Sequence, residues 1–273
     1  MLNIVLITSN ELRHDYFRLS LCNNKKFKVL YSIIEENDNS KQYVENNNNN
    51  QLIKEYLITR NHYEKDFFSD YVSSLNSQNK NKIIKIKKNQ INCNKIYKYI
   101  NKNRPDIIVT FGCSIIKKKL ISLMKNKIIN IHLGLSPYYL GSSTNYHALV
   151  NGDFHLVGYT FMYLDSGIDT GEIIHQGRPD IYIGDNSHQI GNRTIIKMVN
   201  EIKLLLINFK KIKRKKQISN VNSKIFKKKD FTLKSLLKLF NNLYNLKKAK
   251  RLIKKKLKAE KQYKIISQNF KAK

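Results

Sequence analysis

All ten glycines of this 273-residue chain lie between Gly112 and Gly191, and its three prolines are Pro105, Pro137 and Pro179. The rest is rich in lysine, asparagine and isoleucine, as in "ENNNNNQ" from Glu45 to Gln51. AT-rich codon drift produces that background without any function. The same drift removes glycine and proline wherever they are dispensable. Glycine persists where a positive φ or a close backbone approach is required, and proline where a turn must be rigid. The chain therefore marks its own geometrically demanding segment. At the centre of it stands "NIHLGLSPYYLGSSTNYHAL", Asn130 to Leu149.

Charge divides along the same lines. The chain carries 51 Lys+Arg against 20 Asp+Glu. Residues 1–103 are net +7, residues 104–193 net +1 and residues 194–273 net +23. The basic runs "KKIKRKK" (Lys210–Lys216) and "KKAKRLIKKKLK" (Lys247–Lys258) have the footprint of a polyanion-binding tail, so RNA, a membrane surface or an anionic substrate are candidate partners. Drift accounts for the same lysines as solvated helix faces. No apolar run reaches the roughly 18 residues that span a bilayer. "MLNIVLITSN" lacks the charged start of a signal peptide and reads as a first strand. Cys22, Cys93 and Cys113 form neither a disulfide framework nor a metal pair, which points to a cytoplasmic protein.

The pattern of apolar runs predicts an α/β fold, Rossmann-like, with a mostly parallel twisted sheet flanked by helices. Continuous apolar strands are read at 2–7, 27–34, 106–111 and 127–132, with a shorter one at 81–88. Helices are read at 11–21, 92–104 and 113–126. Residues 36–62 read as a polar loop with loose helix. A short helix near 143–150, an alternating strand at 156–165 and a strand at 172–177 follow, the last two pairing antiparallel. One long amphipathic helix is read over 192–216, and a last one from about Leu233 with Leu236, Leu237, Phe240, Leu243 and Tyr244 on one face. We expect a catalytic domain over 1–216 and a lysine-rich helical extension over 217–273. No G-x-G-x-x-G follows the first strand, so a dinucleotide fingerprint is absent.

Three polar residues stand out by placement. Asn130 and His132 lie two apart in a buried strand, so they share a face. Asp169 sits in "DSGIDTG", a glycine-flanked turn between two strands. An amide donor, an imidazole and a carboxylate that converge suit acyl transfer: oxyanion stabilisation, proton movement and orientation of the ring. His147, His155, His175 and His188 lack metal-ligand spacing, and no metal is expected. Cys113 reads as a small buried wall residue. Tyr138 and Tyr139 either flank an acceptor or pack.

The ordered pattern N-I-H, L-S-P-x-x-x-G, then G-x-T-x-x-x-L-D-x-G-I-D-T-G-x-I-I, resembles the folate-dependent formyltransferases over about Pro105–Gln176. That family includes glycinamide ribonucleotide transformylase, methionyl-tRNA formyltransferase and the nucleotide-sugar N-formyltransferases. The resemblance implies a formyl group carried by 10-formyltetrahydrofolate and a primary amine as acceptor. It implies catalysis by Asn130, His132 and Asp169. It places a pterin near Gly112, Ile115, Ile116 and Asp165, and the acceptor junction at Leu135, Ser136, Pro137 and Gly141. Three departures bear on the acceptor. The loop after strand one, "ITSNELRH", keeps only Ser9 and Asn10 of a glycine-rich phosphate loop. Leu140 stands where many members have arginine. No glycine or proline follows Gly191, so the tail does not read as a β-barrel. An amino sugar, nucleotide- or phosphate-linked, is the favoured acceptor. Phosphoribosylglycinamide and methionyl-tRNA remain open, as do a formyltetrahydrofolate hydrolase and, outside enzymes of this kind, an RNA-binding protein acting through its basic tail.

Overall fold

The computed structural model describes residues 1–36, 50–218 and 221–270. The stretch 37–49, part of the loop expected over 36–62, lies outside the described residues. The chain runs β1 (Leu2–Ser9), α1 (Leu12–Cys22), β2 (Phe27–Glu36), α2 (Gln51–Asn76), β3 (Lys82–Lys87), α3 (Asn94–Asn103), β4 (Ile107–Phe111), α4 (Lys118–Leu123) and β5 (Ile128–His132). It continues with β6 (Tyr139–Gly141), α5 (Thr144–Asn151), β7 (Tyr159–Tyr163), β8 (Ile173–Gly177), α6 (Ser187–Ile207), β9 (Lys224–Phe226), α7 (Leu233–Tyr244) and α8 (Leu246–Gln262).

Seven strands form one sheet in the order β3-β2-β1-β4-β5-β7-β8. The first five pair in parallel; β7 and β8 are added antiparallel. Continuous apolar runs are what such a sheet needs, because helices cover both faces. In β1, Ile4 and Leu6 pack with Phe17, Phe68 and Met198 on one side, while Val5 and Ile7 pack with Ile96, Ile100 and Leu120 on the other. The outer strand β3, "KIIKIK", guards its edge with lysines.

Several boundaries differ from those expected. α2 begins inside the segment read as loop. Its core stripe is Ile53, Leu57 and Phe68, with Glu64 also buried on the helix. A carboxylate there hides the apolar period, and it is tolerated because Arg13 Nη1 binds it at 2.5 Å. α4 starts at Lys118, not at 113, because the preceding stretch is extended and tied down: Ser114 N donates to Glu35 Oε2 at 2.6 Å and Lys117 N to Asn92 Oδ1 at 2.7 Å. α6 begins earlier than expected. Asn186 accepts from His188 N and Gln189 N, and its own N–H donates to the Gln189 side chain, a capping box. α6 also ends earlier. After Ile207 the lysine run leaves the helix and Lys215 pairs antiparallel with Ile173 of β8.

The tail lies against the body of the fold. Leu236, Leu239 and Leu243 of α7 pack with Leu149 and Val150 of α5 and with Leu252 of α8. Leu236, Phe240 and Leu243 of the expected face pack inward, whereas Leu237 and Tyr244 are exposed and Leu239 is buried in their place. Buried Asn242 selects the true face, since its Nδ2 donates to Leu149 O at 2.8 Å and Val150 O at 2.9 Å at the end of α5. Beyond α8 the chain runs along β8. Gln176 N donates to Ile266 O at 2.7 Å, Gln268 N to His175 Nδ1 at 3.0 Å, and Gln268 Nε2 to Ile174 O at 2.8 Å. No helix among the described residues is long and apolar enough to cross a membrane.

Burial leaves an acid-sensitive point. His188 sits against the Tyr56 ring at 4.4 Å. Burial, helped by the Arg60 charge, pushes its pKa down to about 4. A folded pKa below the unfolded one means that stability is whole above pH ~6.5 and falls as the pH drops toward 4, because the unfolded chain takes up the proton first. Across that window His188→Gln is expected to remove on the order of 2 kcal/mol of the acid-induced loss. Urea unfolding at pH 7, 5.5 and 4.5 measures this; equal losses in variant and wild type would rule out His188 as a source.

Candidate active site

The site begins with β5. Ile129 and Ile131 enter the core shared with α1 and α6, and Ile128 faces the opposite side. Asn130 and His132 alternate with the first pair and so share the Ile128 face. The turn between β7 and β8 folds back over this face and delivers Asp169. Asp169 holds φ +54°, a left-handed conformation that Asp and Asn adopt more readily than other residues bearing a Cβ.

The three side chains meet on one carboxylate. Asn130 Nδ2 donates to Asp169 Oδ1 at 3.3 Å, and His132 Nδ1 stands 3.3 Å from Asp169 Oδ2. The backbone N–H of Gly141 donates to the same Oδ2 at 2.8 Å. Thr110, opposite Asn130 in the β4–β5 register, donates its hydroxyl to Asn130 Oδ1 at 2.9 Å. That bond fixes the amide so that its NH2 faces Asp169. His132 Nε2 lies 2.8 Å from Tyr139 O. A carbonyl only accepts, so Nε2 carries a hydrogen, and Nδ1 is the ring atom that can exchange a proton with Asp169. His132 is buried, and Asn130 and Asp169 are partly exposed. A partly exposed amide donor thus stands beside a buried imidazole and the partly exposed carboxylate that joins them.

Gly141 shows why this segment kept its glycines. Its φ is +89°, and a Cβ there would stand 2.3 Å from Phe226 O. Gly112 is similar: φ +70°, with a Cβ position 2.3 Å from His14 Nε2. Among the residues that the resemblance places near a pterin, Gly112 is exposed and Ile115 is 78% exposed, whereas Ile116 packs inward with Leu120 and Met124. Exposed Asp165 shapes its own turn, accepting from Gly167 N at 3.0 Å and Thr170 Oγ1 at 2.8 Å. Cys113, expected to be buried, is half-buried and packs against the core that holds Ile116 and Leu120, and burial pushes its thiol up to about 12.

The acceptor-side residues divide. Pro137 and Gly141 are partly open, but Leu135 and Ser136 are each 1% exposed. Leu135 packs with Tyr139 and Val157, and Ser136 is held through its backbone: Ser136 N donates to Thr160 Oγ1 at 3.1 Å, and its carbonyl accepts from Gln176 Nε2 at 2.7 Å. Both therefore support the loop and offer no surface to a ligand. Tyr139 packs: its ring stacks on Phe226 at 5.5 Å and its hydroxyl donates to Asp153 Oδ2 at 2.7 Å. A groove of about 880 Å³ opens beside it, lined by Tyr138, Arg251, Lys254, Lys255 and Lys258 among others; the Asn130–His132–Asp169 centre lies outside that lining. Thr110, the Tyr139 carbonyl and Gly141 N–H as a donor to Asp169 escaped the sequence reading. Thr110 had a usable signal, a lone hydroxyl inside the apolar strand "IIVTF".

A family model described as formyl transferase matches residues 19–204. Methionyl-tRNA formyltransferase of Finegoldia magna is 35% identical over 86 residues, which cover 31% of this chain and 27% of that protein. The enzyme of the same name from Nitratiruptor sp. is 38% identical over 93 residues, 34% of this chain and 30% of that one. These matches span a third or less of the curated relatives' length. The fold is shared with glycinamide ribonucleotide transformylase 1 of Symbiobacterium toebii, at a TM-score of 0.56 and 16% identity over 77% of this chain and 88% of that one. It is shared equally with a sugar N-formyltransferase from Shewanella sp FDAARGOS_354, at 0.56 and 20% identity over 87% and 86%. With the family match reaching across well over half of its length, the chain belongs to the formyl transferase family.

Proposed function

We propose that the chain transfers a formyl group from 10-formyltetrahydrofolate to the primary amine of a nucleotide- or phosphate-linked amino sugar. The observation that carries this reading is the meeting of Asn130 Nδ2 and His132 Nδ1 on the two oxygens of Asp169, each at 3.3 Å. The reaction joins the amine nitrogen to the formyl carbon, breaks the bond from that carbon to N10 of the folate, and moves a proton from the amine to the departing nitrogen. Asn130 has a second amide hydrogen beyond the one given to Asp169, and it supplies the oxyanion donor. The His132–Asp169 pair takes up and returns the proton, and Asp169, as the more exposed partner, meets the substrate side. Exposed Ile115 beside Gly112 offers the apolar surface that a flat heterocycle covers.

The loop after β1 supports this choice of acceptor. Arg13 is paired with Glu64 at 2.5 Å and with Glu11 at 3.4 Å, so its charge is already met. That favours an acceptor whose phosphate is held elsewhere over a phosphoribosyl group bound at this loop. Tetrahydrofolate release from 10-formyltetrahydrofolate, followed spectroscopically with a nucleotide-linked amino sugar, phosphoribosylglycinamide and methionyl-tRNA in separate arms, tests the reading. Release dependent on the amino sugar is expected. Release without any amine identifies a hydrolase, and no release in any arm sinks formyl transfer.

A further inference from the structure

The chain beyond the family-matched residues returns to the centre at two points. Gln217 Nε2 donates to Asp169 O at 2.7 Å and to Gly171 O at 2.8 Å. One side-chain amide thus joins the carbonyls on either side of Thr170, in the turn where Asp169 is left-handed. Further along, β9 runs parallel beside β6: Lys224 N donates to Tyr138 O and Ser142 N to Phe226 O, each at 2.9 Å. β6 is the strand that gives Asp169 the Gly141 N–H and gives His132 the Tyr139 carbonyl. Phe226 is clamped in turn, its ring stacked between Tyr139 at 5.5 Å and His147 at 4.1 Å.

We propose that Gln217 and Lys224–Phe226 form a clasp that positions Asp169 against Asn130 and His132, with Gln217 as its positioning residue. The proposal rests on the formyl-transfer reading of that centre. A turn carried by exposed residues, with a Cβ-bearing residue at positive φ, does not hold one geometry by itself. Gly167, Ile168 and Thr170 around Asp169 are all exposed, so packing does not supply the restraint, and the Asp165 carboxylate that holds Gly167 N and Thr170 Oγ1 cannot hold the carbonyls of Asp169 and Gly171. The Gln217 amide supplies it from outside, and β9 does the same for the strand on the other side of the carboxylate. A placement error well below the size of an atom at such a centre lowers turnover more than binding.

Two variants separate positioning from packing. Gln217→Met keeps length and bulk but removes the donors. Gln217→Glu keeps shape and turns an acceptor toward two carbonyls. Gln217→Met is expected to lower kcat about tenfold with KM for 10-formyltetrahydrofolate within about twofold, and Gln217→Glu to lower kcat further. Hydrogen exchange at the Gly141 amide, whose N–H is held by Asp169, should quicken in both while the β1 and β4 amides stay protected. Wild-type rate and Gly141 protection in Gln217→Met would overturn the clasp. So would a loss of protection spread evenly across the sheet, the mark of a merely structural residue. Faster Gly141 exchange in Gln217→Met, with a wild type that transfers no formyl group to any amine, would end the formyl-transfer reading and leave the clasp standing.

Discussion

Replacing His132 with alanine is expected to lower kcat for formyl transfer by about 100- to 10,000-fold, the range for removal of a positioned proton-transfer group. The ring is held at both nitrogens, by Tyr139 O at 2.8 Å and Asp169 Oδ2 at 3.3 Å, so no water that takes its place can hold one orientation as well. Asp169→Asn belongs to the same experiment. Asparagine tolerates the left-handed backbone, so the turn survives. It keeps an oxygen for Gly141 N–H but loses the charge opposite Nδ1. Its loss should therefore be similar to that of His132→Ala, and the double variant should fall little below the worse single one, because the pair works as a unit. Steady-state turnover beside thermal melts decides the matter. A folded His132→Ala enzyme with near wild-type turnover would remove the ring from the mechanism.

The second large effect concerns Asn130. Asn130→Ala takes away a preorganised oxyanion donor, for an expected loss of about 100- to 1,000-fold in kcat, or roughly 3–4 kcal/mol. It also leaves Thr110 Oγ1 without its 2.9 Å acceptor, although Ile129 O stands 3.4 Å away as a substitute. The variant should therefore fold. Folate affinity, measured by fluorescence titration, should change far less than turnover, since the donor acts on charge that develops only during reaction. Matched losses in affinity and turnover would make Asn130 a binding residue instead. Asn130→Asp, which turns a carboxylate toward Asp169, should do worse than alanine.

Much of this centre was legible in the sequence, for a physical reason. A polar residue inside an apolar strand must have its hydrogen bonds supplied by the fold, so Asn130 and His132 announce themselves in "IINIH". Glycine did the same for Gly112 and Gly141, where the structure leaves no room for a Cβ. The β1, β2, β4 and β5 strands were readable because burial on both faces demands unbroken apolar runs. Helix α2 was not, because buried Glu64 breaks its stripe and owes its short hydrogen bond to Arg13, 51 residues away, with Arg60 on the same helix a longer 3.9 Å partner. The face of α7 was legible at Leu236, Phe240 and Leu243 but not at its edges, because Leu237 and Tyr244 look apolar while polar Asn242 is the residue that turns inward. Gln217 gave no signal at all. A lone glutamine after a lysine run acquires meaning only from two carbonyls more than forty residues upstream.

The segment that runs along β8 also has a consequence in time. β8 is the last strand of the sheet, and the residues that cover it, Lys215 and Ile266–Gln268, follow it in the chain. Ile266 lies 90 residues after Gln176, its partner. During synthesis at about 5–20 residues per second, the open edge of a nearly finished sheet waits on the order of 5–20 s for its last cover. An exposed edge of that kind accepts any passing strand. The emerging chain is therefore open to mispairing at β8 until Ile266–Gln268 arrive, and slow decoding of the lysine-rich stretch between Gln217 and Ile266 would lengthen that interval.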